Sequence, residues 1–273
     1  MRKAVRRWPV GKTAILFSVA LLSLVSVSAA LALDPTGQPP GITKEADDMH
    51  KLYLFVTAVA AVVFVGVEAA LIFMVLRFRK KNDELPPQIH GNNVIEVIWT
   101  AIPVIIVVSM FTAAFIVLTR VESKAAADDM TIDVTGFRFQ WQFDYHLNDI
   151  GAGSDKNSDQ VVTVLGKAGV ENEPTLVIPS GEPIEFALKS NDVIHSFYVR
   201  DFLYKLDVIP GRDNRFVITA NPGDEGTYHA QCAELCGLDH AVMRFNVKVV
   251  TRQEFDQWIQ QQAAAGAQAA RVP

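Results

Sequence analysis

Cysteine is nearly absent: the 273 residues contain two. Cys-x-x-Cys-His does not occur, which excludes a fused c-type cytochrome. Basic residues are thin beyond Glu122, where acidic ones outnumber them by roughly two to one. With a net charge of −5 for the chain, no nucleic-acid partner is expected. The apolar stretches before Arg120 have no polar face, which argues against helices packed in a soluble core. Half of the residues are hydrophobic, a high share for a soluble protein, and the excess lies before Arg120. The chain therefore reads as a membrane-embedded portion followed by a polar one.

Arg2, Lys3, Arg6 and Arg7 precede an apolar run over 13–33, and Ala30-Leu31-Ala32 offers a small-residue cleavage site. That pattern predicts a signal peptide over 1–32, with an uncleaved first span as the alternative, and an exported segment over 33–51. Two further apolar runs, 52–76 and 94–118, each reach the roughly 20 residues that cross a bilayer as a helix. They predict a transmembrane hairpin over 52–120, in contact with lipid. Its basic loop, 77–93, carries Arg77, Arg79, Lys80 and Lys81 and should face the cytoplasm, which places everything after Arg120 outside. Glu96 heads Val97-Ile98-Trp99-Thr100-Ala-Ile-Pro103 at the cytoplasmic edge. It is either a snorkelling interfacial carboxylate or part of a proton path. Glu68 lies deeper, where an ionisable group must face protein or water. Two helices can hardly shelter it, which argues for a larger membrane partner.

From Thr131 the period changes to two. Phe137, Phe139, Trp141, Phe143 and Tyr145 alternate with Arg138, Gln140, Gln142 and Asp144, predicting one strand with an aromatic face. Most of that face is expected to be core, while one or two of its rings could receive electrons at the surface. Residues 148–172 are rich in Gly, Ser, Asp and Asn and read as a loop or hairpin excursion. Short strands are predicted at 175–178, 184–188, 195–199, 215–219, 226–230 and 241–250, with turn signals and no helices between them. This spacing predicts an all-β sandwich or barrel over 121–251, anchored to the membrane by the hairpin. Thr251-Arg-Gln-Glu254 is a capping box that opens a C-terminal helix with Phe255, Trp258 and Ile259 on one face. An Ala/Gln-rich tail, flexible from about 261, completes the segment 252–273. The acidic surface is either simply solvated or a docking face for a basic partner.

Both cysteines fall in one run, Cys232-Ala-Glu234-Leu-Cys236-Gly-Leu-Asp-His240-Ala-Val-Met243. His195 lies upstream in Asn191-Asp192-Val-Ile-His195-Ser196. Two thiolates, two imidazoles and a thioether form a copper-binding set, whereas zinc has no use for the thioether. A Cys232–Cys236 disulfide is the alternative, but it explains neither His240 nor Met243. A β-sandwich can bring His195 from one strand to the loop 232–243. Two thiolates can bridge two coppers, with His195 and His240 supplying one imidazole each. Met243 then makes a weak axial contact, and the Glu234 carbonyl is the natural donor to the second copper. No position remains for a substrate, so such a site moves electrons and does no bond chemistry.

The run Gln231-Cys-Ala-Glu-Leu-Cys-Gly-Leu-Asp-His-Ala-Val-Met243, with Asp192-Val-Ile-His-Ser196, Lys205-Leu-Asp207-Val-Ile-Pro-Gly-Arg212-Asp-Asn214 and Glu96-Val-Ile-Trp-Thr100, resembles subunit II of haem–copper cytochrome c oxidases of bacterial type. The resemblance implies a cupredoxin-like Greek-key domain on the periplasmic side of the inner membrane, holding a binuclear CuA centre. It implies electron transfer from cytochrome c or a membrane-bound cytochrome to haem in subunit I, the subunit with CuB, where oxygen is reduced and protons are translocated. Subunit III is a further implied partner. Copper ligands carried over are His195, Cys232, the Glu234 carbonyl, Cys236, His240 and Met243. The Glu234 side chain is implied to reach magnesium at the subunit I interface, and Glu96 to open a proton pathway. Asp144 and Asp192 match acidic positions of the cytochrome-docking face. Phe139 stands where the family has its electron-accepting tryptophan, whereas Trp141 keeps its place. A copper subunit of a related nitric oxide reductase and a membrane-tethered copper carrier are the alternatives. A quinol-oxidase subunit would lack the cysteines.

Overall fold

The computed structural model describes residues 38, 40–79, 91–122, 125–126, 129–147, 161–166 and 173–269. The signal segment expected over 1–32 and most of the basic loop lie outside the described residues.

Two long helices come first, α1 (Lys44–Arg77) and α2 (Asn93–Val121). Each opens on a side-chain cap. Thr43 Oγ1 accepts from the Ala46 N–H at 3.0 Å, and Asn92 Oδ1 accepts from the Val94 N–H at 3.0 Å. Both carry a window of mean hydropathy 2.7, none of it buried within the chain. Neither helix has an internal core to pack into, so lipid or other chains must cover them. At about 1.5 Å per residue, the 34 residues of α1 outreach a hydrocarbon core of about 30 Å.

The surplus length of α1 is docked on the β domain. Thr43 bridges to Ala220, the Ile42 N–H donates to the Asp201 carbonyl at 2.9 Å, and the Asn221 N–H donates to the Ile42 carbonyl at 2.8 Å. The Thr219 N–H donates to the Glu45 carboxylate at 3.0 Å, and Ala46 is fully buried. The helix thus begins eight residues before the apolar run, because contacts with the domain continue it.

Among the described residues ten strands follow: β1 Met130–Phe137, β2 Gln140–His146, β3 Val161–Leu165, β4 Thr175–Pro179, β5 Pro183–Ser190, β6 His195–Val199, β7 Tyr204–Val208, β8 Asn214–Thr219, β9 Gly226–Cys232 and β10 Arg244–Val250. They form two five-stranded sheets, ordered β3-β2-β1-β5-β8 and β4-β10-β9-β6-β7. The β1–β5 and β10–β4 pairings are parallel and the others antiparallel. This is the expected membrane-anchored β-sandwich. Its core is an aromatic stack in which Trp141, Phe143, Phe186, Phe197 and Phe245 are all fully buried.

Two local expectations need correction, the aromatic stripe and the tail. The aromatic stripe is not one strand. It folds at Arg138-Phe139 into a hairpin whose last pair is Phe137 with Gln140. Gly136, not Phe137, therefore sits opposite Trp141 and shares its face, and Phe137 falls on the other side. Arg-Phe carries none of the usual turn residues, so the alternation ran through the turn unmarked. The excursion 148–172 takes its hairpin option: β3 pairs antiparallel with β2 and extends the first sheet. The tail expected to be flexible from 261 continues as helix α3 (Arg252–Ala269), as its Ala and Gln favour. Phe255 and Trp258 of α3 pack on the ring of Tyr145, whose hydroxyl accepts from the Val177 N–H at 2.8 Å and donates to the Val177 carbonyl at 3.0 Å. That phenol satisfies the free side of edge strand β4.

Candidate metal centre

Strand β6 starts at His195, and β9 ends at Cys232 two residues out of register with it, on the same face, since Phe197 pairs with Cys232. The loop that follows is pinned at its base, where the Cys232 N–H donates to the Met243 carbonyl at 2.9 Å and the Ala233 N–H to the Ser196 carbonyl at 3.0 Å. Gly237 turns the loop with φ +138°, a conformation side-chain-bearing residues rarely adopt. A short 3-10 turn, His240–Val242, then aims His240 and Met243 back at the cysteines. From below, Gly136 lets β1 approach closely: a Cβ there would lie 3.2 Å from both His195 and Trp141.

Five donor side chains converge. Cys232 Sγ lies 3.9 Å from His195 Nδ1 and 4.0 Å from Cys236 Sγ. Cys236 Sγ lies 3.6 Å from His240 Nδ1 and 3.7 Å from Met243 Sδ. The Glu234 carbonyl is 3.3 Å from Cys232 Sγ, while its side chain is exposed. His195, Cys232, Cys236 and Met243 are buried. Both cysteines are free, with sulfurs about twice the roughly 2 Å of a disulfide bond apart. Donors sharing a metal at about 2.0–2.3 Å must lie roughly 3.3–4.5 Å from one another, so these separations fit ions seated between them. A thiolate, imidazole and thioether set of this kind suits copper.

The electrostatics also invite a cation. Burial works against ionising Cys232, but His195 and the backbone of Glu234 and Ser196 outweigh it and bring the thiol down to about 7. Burial, then the neighbouring Cys232 charge, push Cys236 up to about 12. A metal ion between the sulfurs would replace the proton that Cys236 otherwise keeps.

Asp192 has a task that sequence reasoning missed. Its Oδ1 lies 2.8 Å from His195 Nε2, fixing the proton on that nitrogen and leaving Nδ1 toward the cysteines. The carboxylate also accepts the Arg138 N–H at 2.8 Å and the Val193 N–H at 2.6 Å. Burial opposes ionisation of Asp192, yet these bonds, led by His195, hold it down at about 2. A carboxylate three residues before a histidine was the available signal.

The two aromatics occupy different layers. Trp141 is fully buried, its ring 6.1 Å from that of His195, and its indole N–H has no partner among the described residues. Phe139, at the hairpin turn, lies over the copper loop: a Cβ on Gly237 would meet its ring at 3.0 Å. Phe139 is half-buried, so of these two aromatics it is the one that solvent reaches. Ile194, Leu235 and Leu238 are exposed on the loops beside it. Asp144 sits on the outer face of the first sheet, accepting from Gln142 Nε2 at 2.7 Å and Thr163 Oγ1 at 2.6 Å. Glu96 is in the first turn of α2, away from this cluster, and exposed.

The model of the cytochrome c oxidase subunit II periplasmic domain matches residues 130–250, and that of the subunit II transmembrane domain matches residues 35–117. The probable cytochrome c oxidase subunit 2 of Rickettsia bellii is 32% identical over 88% of this chain and 91% of its own length. That of Streptomyces avermitilis is 35% identical over 84% and 80%. The chain belongs to the cytochrome c oxidase subunit II family. The crystal structure of the periplasmic domain of subunit II from Bradyrhizobium japonicum is 31% identical to it, covering 53% of this chain and 98% of that one with a TM-score of 0.43. As a subunit II, this protein is part of an oxidoreductase assembled from several subunits. Its two apolar helices are the membrane anchor, and its β domain is the periplasmic portion, with a His/Cys/Cys cluster suited to copper.

Proposed function

We propose that this subunit II carries a binuclear CuA centre held by His195, Cys232, Cys236, His240, Met243 and the Glu234 carbonyl. The observation that carries the reading is the convergence of five soft or borderline donors in one group. Such a centre, when loaded, supplies a one-electron carrier. The chain's own residues do the rest. The two sandwich sheets hold the ligands rigid, Asp192 keeps His195 in one tautomer, and Trp141 and the buried phenylalanines exclude water.

Electrons arrive from a cytochrome c or a membrane-bound cytochrome. Phe139 is the contact over the copper loop, and Asp192 and Asp144 contribute to an acidic docking face. They leave toward haem in subunit I, the subunit with CuB that reduces oxygen, in a complex that also contains subunit III. The exposed Glu234 side chain is free to bind magnesium at the subunit I boundary. Glu96, at the cytoplasmic end of α2, takes up protons. The chain crosses a bacterial plasma membrane more than once, with the copper domain on the outer side and the signal segment 1–32 removed.

The test is the metal itself. The purified subunit should bind two coppers per chain and give a mixed-valence signal with seven-line hyperfine structure. One copper with a four-line spectrum would refute the binuclear reading.

A further inference from the structure

Glu68 is used by none of this. It lies in the apolar run of α1, nine residues before Arg77, hence about 13 Å inside the helix's basic end. Among the described residues nothing pairs with it, and the span around it is uncovered within the chain. A carboxylate at that depth does not face lipid; it faces protein or water.

The hairpin gives Glu68 its neighbours in depth. Asp48 of α1 and Arg120 of α2 form an ion pair at 3.3 Å, tying the outer ends of the two helices. Twenty residues along α1 from Asp48 is Glu68, and twenty residues back along α2 from Arg120 is Thr100. At about 1.5 Å per residue both lie about 30 Å from the tie, so they share a level in the membrane. One turn further toward the cytoplasm is Glu96, whose carbonyl accepts from Thr100 Oγ1 at 2.8 Å. At the same level the Trp99 carbonyl lacks its helical donor, because Pro103 has no N–H. Two carboxyls, a hydroxyl and a free carbonyl thus occupy about two turns of an otherwise apolar hairpin. Polar groups gathered at one depth are what a hydrated seam against another membrane subunit requires.

We propose that Glu68 is a second proton-carrying residue of this subunit, facing a water-filled seam with a partner membrane subunit. The inference rests on the reading of Glu96 as the site of proton uptake. A proton taken from cytoplasmic water by Glu96 passes through seam water to the Glu68 carboxylate. It then leaves Glu68 for the partner, where oxygen reduction consumes it. Both carboxyls return to their starting forms each turnover, and no bond other than O–H is made or broken.

The test uses the assembled complex in sealed vesicles, with Glu68→Gln, Glu68→Asp, Glu68→Leu and Glu96→Ala. Glu68→Gln should assemble with unchanged copper and haem spectra and unchanged electron delivery to copper. Its turnover and proton uptake should fall by about tenfold or more, the scale of losing a proton-transferring group. Glu68→Asp should restore most of the rate. A redox-linked infrared carboxyl band that shifts in heavy water should vanish in Glu68→Gln. Wild-type proton uptake in Glu68→Gln overturns the proposal; if Glu68→Leu alone then fails to assemble, the residue serves only the interface. Slow Glu96→Ala with normal Glu68→Gln removes this inference and leaves the Glu96 reading standing. Slow Glu68→Gln with normal Glu96→Ala refutes the Glu96 reading and, because the relay starts there, overturns the path from Glu96 to Glu68 with it.

Discussion

Removing the carboxylate of Asp192 should weaken copper binding without unfolding the domain. His195 is fully buried, and Asp192 Oδ1 is the acceptor for its Nε2–H, 2.8 Å away. In Asp192→Ala that N–H loses its charged acceptor, and the imidazole loses the group that orients it. A hydrogen bond to a charged partner is worth about 1.5–3 kcal/mol, and a lost metal-supporting carboxylate costs about 10–100-fold in affinity. Since tenfold corresponds to about 1.4 kcal/mol, the two estimates agree. The same substitution frees the Arg138 N–H at the turn that carries Phe139, so the copper loop loses support from a second side. Asp192→Asn keeps an acceptor oxygen and should lose less.

The assay is competition for copper against a chelator of known affinity on the purified subunit, with the visible spectrum followed. Urea unfolding of the copper-free protein is the control for folding. Asp192 is also placed on the proposed docking face, but the copper measurement involves no donor, so the two roles separate. Copper affinity of Asp192→Ala within about threefold of the parent would refute the argument, since the missing bond alone predicts more. Equal losses in the Asn and Ala variants would assign the effect to charge and not to the acceptor.

Two further outcomes are expected. Gly237→Ala places a side chain at φ +138° and a Cβ 3.0 Å from the Phe139 ring, so it should destabilise the copper loop by about 1–3 kcal/mol in urea unfolding. Adding Phe139→Ala relieves the clash but not the strain, and losses that add to within about 0.3 kcal/mol would refute the contact. Tyr145→Phe leaves the Val177 N–H and carbonyl unpaired and should cost about 2 kcal/mol. Burial raises the Tyr145 ionisation above its ordinary value near 10. Because the neutral phenol is the native form, its stabilisation is intact below pH 10 and lost as the pH rises beyond it. The Phe variant should show a flatter alkaline limb in unfolding against pH; an unchanged limb would refute the assignment.

The architecture was legible because its signals are large. Two apolar runs without a polar face have few destinations outside a bilayer, and short alternating segments separated by Pro-Gly and Asn-Pro-Gly turns have few outside a sandwich. The donor set was legible because copper's preference for sulfur and imidazole restricts residue type, and five such residues crowd one loop and one strand start. What stayed hidden has small or ambiguous signals. The hairpin at Arg138-Phe139 has no glycine, proline, asparagine or aspartate, so period-two alternation continued across it, and Phe137 was assigned to the wrong face. The start of α1 at Lys44 is fixed by hydrogen bonds to Asp201, Thr219 and Asn221, far away in the chain. A local pattern cannot report such contacts.

The docked start of α1 changes what kind of anchor the hairpin is. A flexible tether would let the β domain wander over the membrane, and the distance from its copper loop to a haem in another subunit would vary. Here the strand-like entry at Ile42-Thr43 and the buried Ala46 join helix and sandwich, and the Asp48–Arg120 pair joins the two helices. Electron transfer falls steeply with distance, so an anchor that fixes this geometry supports function as directly as a ligand does. The same tie sets the relative depth of Glu68, Thr100 and Glu96. The positions of the donor cluster and of the Glu68 and Glu96 carboxyls therefore follow from one element.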